Sequence, residues 1–389
     1  MKLIKIATEE KVTIVFPKES EQKESRIAII PQHVKQLHTR GAAVEIESEF
    51  GTSLGFTDKD YQDAGAVIAG DRKKMLSNAD IVIRIRHSQE KEIKLLKKGA
   101  LHISFLDPFS AKEIIESALT ANINMISMEL IPRTTLAQKM DAVSSQASLA
   151  GYAAVIIAAE RSRKIFPMMM TPAGTIAPSR VFVIGAGVAG LQAIATAKRL
   201  GARVEAFDTR PVVEEQVHSL GAKFIKIDLG ETGQTKDGYA RSLTEEQLQK
   251  QREVMAKHCA LADVVITTAQ VFGRKAPVIV TRDMIQQMIP GSIIVDLAVE
   301  NGGNVEGVQP GKEVITKKGV TLVGLENLPG RVALHASQMY SSNITNFILH
   351  FWDEESKTMR LNLEDEIIKG CLVTHAGQLF SETLKMMRK

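Results

Sequence analysis

Three glycines, Gly185, Gly187 and Gly190, have a spacing that predicts a specific chemistry. They form the pattern G-x-G-x-x-G in VFVIGAGVAG, directly after an apolar run that predicts a strand and directly before LQAIATAKRL, which predicts a helix. In this setting the first glycine permits a tight turn, the second lets a pyrophosphate approach the backbone, and the third lets helix and strand pack closely. The pyrophosphate would lie at the helix N-terminus, where N–H groups and the helix dipole favour negative charge. The pattern therefore predicts a dinucleotide site, the alternative being a glycine turn with no ligand.

The next predicted strand ends at Asp208, about 20 residues after the glycine pattern. A carboxylate at this position accepts hydrogen bonds from both hydroxyls of an adenosine ribose and would repel the 2′-phosphate of NADP. Arg210 keeps the alternative open, because an arginine could bind that phosphate. We expect NAD(H) in preference to NADP(H), since Asp208 occupies the discriminating position.

Acid–base chemistry is harder to place in this sequence. A dehydrogenase of small substrates removes a proton together with a hydride, usually with a histidine or lysine as the base. The nine histidines fall mostly in helical or loop-like surroundings, and none belongs to an HxxxH or His–Asp pattern. Surface or structural roles are the better interpretation of these histidines.

A polar cluster occurs in the segment IPRTTLAQKMDAVSSQ, which contains Arg133, Gln138, Asp141 and Ser144. From Gln138 to about Lys164 the sequence is rich in alanine and has no proline, which predicts a long connecting helix. Gln138, Asp141 and Ser144 would then lie on roughly one face at its N-terminal end. Taken alone, these residues favour a simpler interpretation, in which Asp141 and Ser144 stabilise the start of the helix.

Composition argues against several other classes of protein. The 49 basic and 45 acidic residues give a net charge of only +4 and are interspersed, so no nucleic-acid surface is expected. Cys259 and Cys371 form no CxxC pattern, so we expect neither a disulfide framework nor a metal site, and a reducing compartment fits best. The start, MKLIKIATEE, lacks the apolar core of a signal peptide, and we expect no apolar run of about 18 residues that would span a bilayer.

Strand-like and helix-like runs alternate along the chain and predict an α/β fold with two doubly wound, Rossmann-like parallel sheets. We expect a first domain at residues 1–137, completed by residues 331–389, and an NAD(H)-binding domain at residues 138–330, the two joined by the long helix. The cofactor is expected in the interdomain cleft, at the carboxyl ends of the second domain's strands. The polar segment DLGETGQTKDGYARS is expected to be a mobile loop.

Nearly the whole chain resembles the soluble NAD(H)-binding α subunit, or domain I, of proton-translocating NAD(P) transhydrogenase. The resemblance is carried by PRTTLAQKMDAVSSQASLAGY, FPMMMTPAGTIAP, GAGVAGLQAIATAKRLGARVEAFDTRP, TTAQVFGRKAPV and GSIIVDLAVENGGN. It implies that the nicotinamide and its ribose are positioned by Arg133, Gln138, Asp141 and Ser144, and that a mobile-loop tyrosine closes over the cofactor. The cofactor contacts that it implies, together with the glycine pattern, are Gly185, Ala186, Gly187, Val188, Gly190, Asp208, Thr209, Arg210, Gly238, Tyr239, Gln251 and Gln270.

The resemblance also implies a reaction and partners. The chain would pass a hydride from NADH to NADP⁺ held on a separate NADP(H)-binding subunit, and a membrane-embedded proton-channel subunit would couple this Re/Si-specific transfer to proton translocation. It implies a homodimer, peripheral to the inner membrane on its cytoplasmic or matrix side. Transfer from one nicotinamide C4 to another needs no acid or base, which suits the lack of a recognisable base.

Alanine dehydrogenase is the alternative by resemblance, and three positions depart from it. Its lysine, catalytic histidine and aspartate are replaced here by Arg84, Leu106 and Glu300. An arginine can bind a carboxylate but does not serve as a general base near neutral pH. An NAD-binding regulatory module without hydride chemistry is the third hypothesis.

Overall fold

A computed structural model describes residues 3–6, 11–21, 23–228, 244–271 and 273–388 of the chain. The chain divides into two compact units, Met1–Gln146 with Val332–Lys389, and Ala147–Arg331. Of the sequence-predicted site residues, Gly238 and Tyr239 lie outside the described residues, as does nearly all of the polar segment that was expected to be mobile.

The N-terminal portion of the chain alternates strands with helices. The strands are β1 Leu3–Ile6, β2 Thr13–Phe16, β3 Ala43–Glu47, β4 Val67–Ala69, β5 Ile81–Arg86, β6 Leu101–Phe105 and β7 Asn124–Ser127. The helices are α1 Pro31–Thr39, α2 Asp58–Asp63, α3 Arg72–Asn78, α4 Glu90–Ile93, α5 Lys112–Ala121 and α6 Ala142–Arg161, and the division between the units falls within α6.

The middle of the chain repeats the alternation. Its strands are β8 Met169–Thr171, β9 Gly174–Ile176, β10 Arg180–Ile184, β11 Arg203–Phe207, β12 Lys223–Phe224, β13 Val264–Thr267, β14 Ile293–Asp296, β15 Lys312–Ile315 and β16 Thr321–Gly324. Its helices are α7 Val188–Arg199, α8 Glu214–Ser219, α9 Glu245–Leu261 and α10 Arg282–Gln287. The C-terminal portion contains α11 Ala333–His350, β17 Trp352–Asp353, β18 Thr358–Asn362, α12 Glu366–Cys371, β19 Leu372–His375, β20 Gln378–Leu379 and α13 Glu382–Arg388.

The first unit contains an eight-stranded sheet in the order β20-β19-β7-β6-β5-β2-β3-β4. Strands β2 to β7 pair in parallel, whereas β19, from the C-terminal portion of the chain, pairs antiparallel with β7. The central strands β5 and β7 are buried along almost their whole length, as expected for a sheet covered on both faces. A small second sheet pairs β18 with both β1 and β17.

The second unit contains a seven-stranded sheet in the order β12-β11-β10-β13-β14-β16-β15, parallel except for the edge pair β15 and β16. Alternate residues of β10 enter two different cores: Val181 and Val183 pack in one cluster, and Phe182 and Ile184 pack in the other. This burial on both faces explains why the strand is apolar without alternation. The predicted fold class, α/β with two doubly wound Rossmann-like sheets, is confirmed.

Helix α6 departs from two sequence-based expectations. It begins at Ala142, not at Gln138, and ends at Arg161. Within the described residues it is also the one helix whose length and composition would suffice to cross a membrane, so the expectation that no apolar run reaches that length was wrong. A core helix meets the same criterion, and alanine, valine and isoleucine side chains of α6 between residues 153 and 158 pack in the core of the second unit.

Candidate dinucleotide site

The glycine pattern forms the turn between β10 and α7, at the carboxyl end of β10. Gly185 has φ +97°, a region that favours glycine, and its N–H donates to Phe207 O at 2.8 Å. A Cβ on Gly185 would lie 2.5 Å from Thr268 Oγ1, and a Cβ on Gly190 would lie 1.8 Å from Gly185 O. Both positions therefore require glycine, one for its backbone angle and both for space.

This turn lies where the sheet reverses its strand order. From β10 the chain continues to β11 on one side, and it later adds β13 on the other side. In open parallel sheets, such a switch point at the carboxyl ends of the strands is where ligands bind. The turn is thus in the region of the unit where a ligand is expected.

Helix α7 presents its N-terminus at the same place. Gly187 is its N-cap and, among the described residues, no side chain caps this end and its first turn has no acidic residue. A Cβ on Gly187 would meet, of the atoms that the structure describes, only Arg210 Nη2 within 4 Å, at 3.9 Å, so there is space above the main chain. Val188, the first helical residue, is also exposed. The N–H groups of this turn and the helix dipole suit an anion such as a pyrophosphate.

Asp208 follows β11 and faces the turn. Its Oδ2 accepts from Ala186 N–H at 2.7 Å and from Arg210 Nη2 at 2.7 Å. Its Oδ1 accepts from the main-chain N–H and the Nε of Arg210, at 2.8 and 2.9 Å. The hydrogen bonds to Asp208 raise the pKa of Arg210. Thr209, between the two charged residues, is half-buried. The structure therefore brings Ala186, Asp208 and Arg210 together, and places the carboxylate in an ion pair.

Two buried polar residues that sequence reasoning missed hold the neighbouring loop. The Asp296 carboxylate, at the end of β14, accepts from Thr267 Oγ1 and from the N–H groups of Ala298, Asn304 and Val305, at 2.7 to 3.1 Å. Burial raises the pKa of Asp296, an effect that these four donors oppose. Both Asp296 and Asn304 lie in the segment IIVDLAVENGGN, but polarity alone would have predicted solvent exposure.

Asn304 in turn fixes the main chain after β13. Its Oδ1 accepts from Ala269 N–H at 3.0 Å, and its Nδ2 donates to Ala269 O at 2.8 Å and to Pro277 O at 2.9 Å. Gln270, the next residue, is exposed, with Nε2 3.5 Å from Leu297 O. The predicted contact residue Gln270 is therefore an accessible side chain on a fixed backbone.

Gln251 has a different environment from Gln270. It lies on α9 and is buried, its Nε2 donates to Met255 Sδ at 3.3 Å, and no described residue donates to its Oε1. An unpaired buried amide oxygen costs free energy unless a donor reaches it.

The second predicted cluster belongs to the first unit. Residues Gln138–Met140 form a separate 3₁₀ turn, and the chain turns at Asp141 before α6 begins. The Asp141 carboxylate accepts from Ser144 N–H at 2.8 Å and from Ser144 Oγ at 2.6 Å, so Asp141 caps α6. Gln138 and Arg133 are exposed. The predicted single helical face is therefore wrong, because the helix starts only after Asp141.

Two of the three residues that replace the lysine, histidine and aspartate of alanine dehydrogenase make polar contacts with other residues. Arg84 is fully buried, and it donates to Glu92 Oε2 at 2.6 Å, Ser20 Oγ at 2.8 Å and Lys18 O at 3.0 Å. Burial opposes ionisation of Glu92, but Arg84 and Arg72 hold its pKa below the usual value. Leu106, also in the first unit, is buried and has no polar side chain. In the second unit, Glu300 Oε1 accepts from Asn327 N–H at 2.6 Å.

Among the residues that the structure describes, no group of three or more histidine, cysteine or acidic side chains could hold a metal ion. Cys259 and Cys371 are both buried free thiols, and burial raises the pKa of each.

Fold and site together define a nucleotide-binding protein with two Rossmann-like units. The chain belongs to the alanine dehydrogenase/PNT family: residues 15–150 match the model of its N-terminal domain and residues 154–382 that of its C-terminal domain.

Three known proteins indicate its place within the family. It is 44% identical over 378 residues to the Rhodospirillum rubrum protein that forms the first portion of NAD(P) transhydrogenase subunit alpha, covering 95% of this chain and 98% of that protein. The crystal structure of transhydrogenase from Sinorhizobium meliloti superposes with a TM-score of 0.82 at 40% identity, covering 95% of this chain and 99% of that one. An L-alanine dehydrogenase structure at 24% identity has the same fold, with a TM-score of 0.80 and coverage of 97% and 99%. The predicted resemblance to the transhydrogenase α subunit, with alanine dehydrogenase as a relative, is confirmed.

Proposed function

We propose that this chain is the NAD(H)-binding component of a proton-translocating, Re/Si-specific NAD(P)⁺ transhydrogenase. It would pass a hydride from NADH to NADP⁺ held on a partner subunit. The observation that carries the proposal is the glycine turn at the switch point of the second sheet, with Asp208 beside it, in a chain 44% identical to a transhydrogenase α component.

The residues around the turn fit a dinucleotide. The open space over Gly187 and the uncapped start of α7 suit the pyrophosphate, and Asp208 suits the hydroxyls of the adenosine ribose. The exposed amide of Gln270 is available for polar groups of the ligand, and Gln251 is assigned as a contact on the strength of the family resemblance. The remaining assigned contacts are Gly185, Ala186, Val188, Gly190, Thr209, Arg210, Gly238 and Tyr239.

We assign the nicotinamide and its ribose to Arg133, Gln138, Asp141 and Ser144 on the strength of the family resemblance. The exposure of Arg133 and Gln138 leaves these side chains accessible to a ligand. Catalysis would then consist mainly of positioning, because a hydride that moves between two C4 atoms leaves no substrate proton to remove. The paired Arg84 and the apolar Leu106 support this assignment over an amino-acid dehydrogenase.

The proposed assembly is a homodimer with an NADP(H)-binding subunit and a membrane-embedded proton-channel subunit. The complex would hold this chain at the cytoplasmic or matrix face of the inner membrane.

An exposed apolar hairpin supports self-association. Strands β8 and β9 form a two-stranded sheet of their own, and Met168, Met170 and Ile176 are 58%, 75% and 50% exposed. An isolated hairpin with apolar side chains is marginally stable in water, and a second copy would cover it.

The deciding experiment mixes the purified chain with the separately produced NADP(H)-binding subunit, NADH deuterated at C4 and NADP⁺. We expect deuterium in NADPH only when both proteins are present. In a separate titration, the chain should bind NADH more tightly than NADPH. A like-charge contact of Asp208 with the 2′-phosphate predicts a preference on the order of 100-fold.

Two other outcomes would replace the proposal. Reduction of NAD⁺ by L-alanine with the purified chain alone would establish an amino-acid dehydrogenase. NADH binding without any label transfer in the presence of a competent NADP(H)-binding subunit would establish a regulatory module.

A further inference from the structure

The Asp208 carboxylate has no capacity left for ribose hydroxyls in this structure. A carboxylate has about four acceptor sites, and Asp208 accepts four hydrogen bonds, two on each oxygen. Its side chain is only 6% exposed. A ligand that binds through this carboxylate must therefore displace a donor that is already there.

Only one of these donor groups can leave without unfolding the loop. Ala186 N–H belongs to the glycine turn and Arg210 N–H to the main chain after β11, so both are held by the backbone. The other two hydrogen bonds come from the Arg210 guanidinium, at the end of a flexible side chain. Rotation of that side chain frees one acceptor site on each carboxylate oxygen, the number that two ribose hydroxyls need.

The guanidinium also lies beside the place where a pyrophosphate is expected. Arg210 Nη2 is 3.9 Å from the position of a Cβ on Gly187, the N-cap of α7. A guanidinium binds carboxylate and phosphate oxygens with the same two-pronged geometry. A short movement would exchange one anion for the other.

We propose that Arg210 exchanges partners when a nucleoside diphosphate group binds: its guanidinium leaves the Asp208 carboxylate for the pyrophosphate, and the two ribose hydroxyls take its place on Asp208. This inference rests on the proposed NAD(H) site. The exchange links recognition of the ribose to recognition of the phosphates. A ligand with both groups supplies a new partner for each residue, whereas a ligand with the ribose alone breaks the ion pair and leaves the guanidinium without its carboxylate.

The exchange predicts opposite effects of one substitution on two ligands. Arg210→Met removes the guanidinium and opens Asp208, so adenosine should bind about tenfold more tightly, while ADP and NADH lose a charged contact and should bind about tenfold more weakly. Isothermal titration calorimetry with adenosine, ADP and NADH measures all three affinities. Arg199→Met, the same change on an exposed arginine at the other end of α7, is the matched control and should leave all three unchanged.

Arg210→Lys provides a second variant if Arg210→Met does not fold. An ammonium group cannot hold both carboxylate oxygens as a guanidinium does, so the affinities should move in the same opposite directions by smaller factors. Weaker binding of all three ligands would assign Arg210 a purely structural role, and unchanged affinities would exclude any exchange. Failure of the unaltered chain to bind NADH would instead overturn the proposed function.

Discussion

Burial separates two kinds of polar residue around the glycine turn. Asp296 and Asn304 are buried and bonded to main-chain groups, so each fixes a loop and would leave unsatisfied donors or acceptors if removed. The Arg210 side chain is 15% exposed and Gln270 is exposed, and the polar group of each lies at the end of a flexible side chain. The first pair maintains the shape of the site, and the second pair is available to a ligand.

At the scale of single residues, Gln138 provides a test of the proposed nicotinamide contacts. Gln138→Asn keeps the amide but shortens its reach by one methylene. Because α6 begins after Asp141, Gln138 has no role in capping it, and we expect NADH affinity and melting temperature to change little. The rate of hydride transfer in the reconstituted system should fall by up to about 100-fold, as expected when reacting groups are misplaced by about 1 Å.

The matched control is Gln36→Asn, on an exposed position of α1, which should leave binding, melting temperature and transfer rate unchanged. An unaltered transfer rate in Gln138→Asn would remove Gln138 from the site. A fall in melting temperature without a fall in rate would assign it a role in stability alone.

At the scale of secondary-structure elements, the close contact between helices α6 and α7 supports the glycine turn between β10 and α7. A Cβ on Gly151 of α6 would lie 2.1 Å from Ala189 O, a main-chain atom in the first turn of α7. Gly151→Ala must therefore separate the two helices. We expect a loss of about 1–3 kcal/mol in the free energy of unfolding, together with weaker NADH binding, because the start of α7 moves. Denaturant unfolding and NADH titration measure the two effects.

Gly70→Ala is the comparison variant, since a Cβ at Gly70 has no described atom within 4 Å. It should change neither stability nor NADH affinity. If Gly151→Ala behaved like Gly70→Ala, the close packing of α6 on α7 would be unnecessary for the site.

Elements whose signal is local were predictable from the sequence. The glycine turn and the buried parallel strands depend on adjacent residues, and the structure contains both. The start of α6 was not predictable in this way, because residues 138–141 are as compatible with a helix as those that follow, and the cap formed by Asp141 decides the boundary. The Asp296–Asn304 arrangement depends on contacts between segments about 30 residues apart, which no local pattern reveals. Asp208 and Arg210 were both recognised, but their mutual ion pair was not.

At the scale of the whole molecule, the exposed hairpin of β8 and β9 predicts self-association. Its outer strand edges can pair with a second copy about a two-fold axis, and its methionines would then be covered. Met170→Asp places a charge on the most exposed of these methionines and should weaken a dimer by at least about tenfold. Sedimentation velocity over a range of protein concentrations measures the change.

Met386→Asp, on α13, introduces the same charge at a methionine that is 69% exposed and should not affect association. A Met170→Asp protein that dimerises as strongly as the unaltered chain would exclude this hairpin from the interface. An unaltered chain that stays monomeric at micromolar concentrations would exclude the homodimer itself.

The pairing of β19 with β7 has a consequence for synthesis. These two strands are neighbours in one sheet, yet the entire second unit lies between them in the chain. A ribosome finishes Ala147–Arg331 before it releases the strand that covers the β7 edge, so the second unit can fold while the first still has an open sheet edge. Folding of a nascent chain usually proceeds from its N-terminus. Here the N-terminal unit is the one that must wait, and its exposed edge needs protection from aggregation until residues 372–375 have been made.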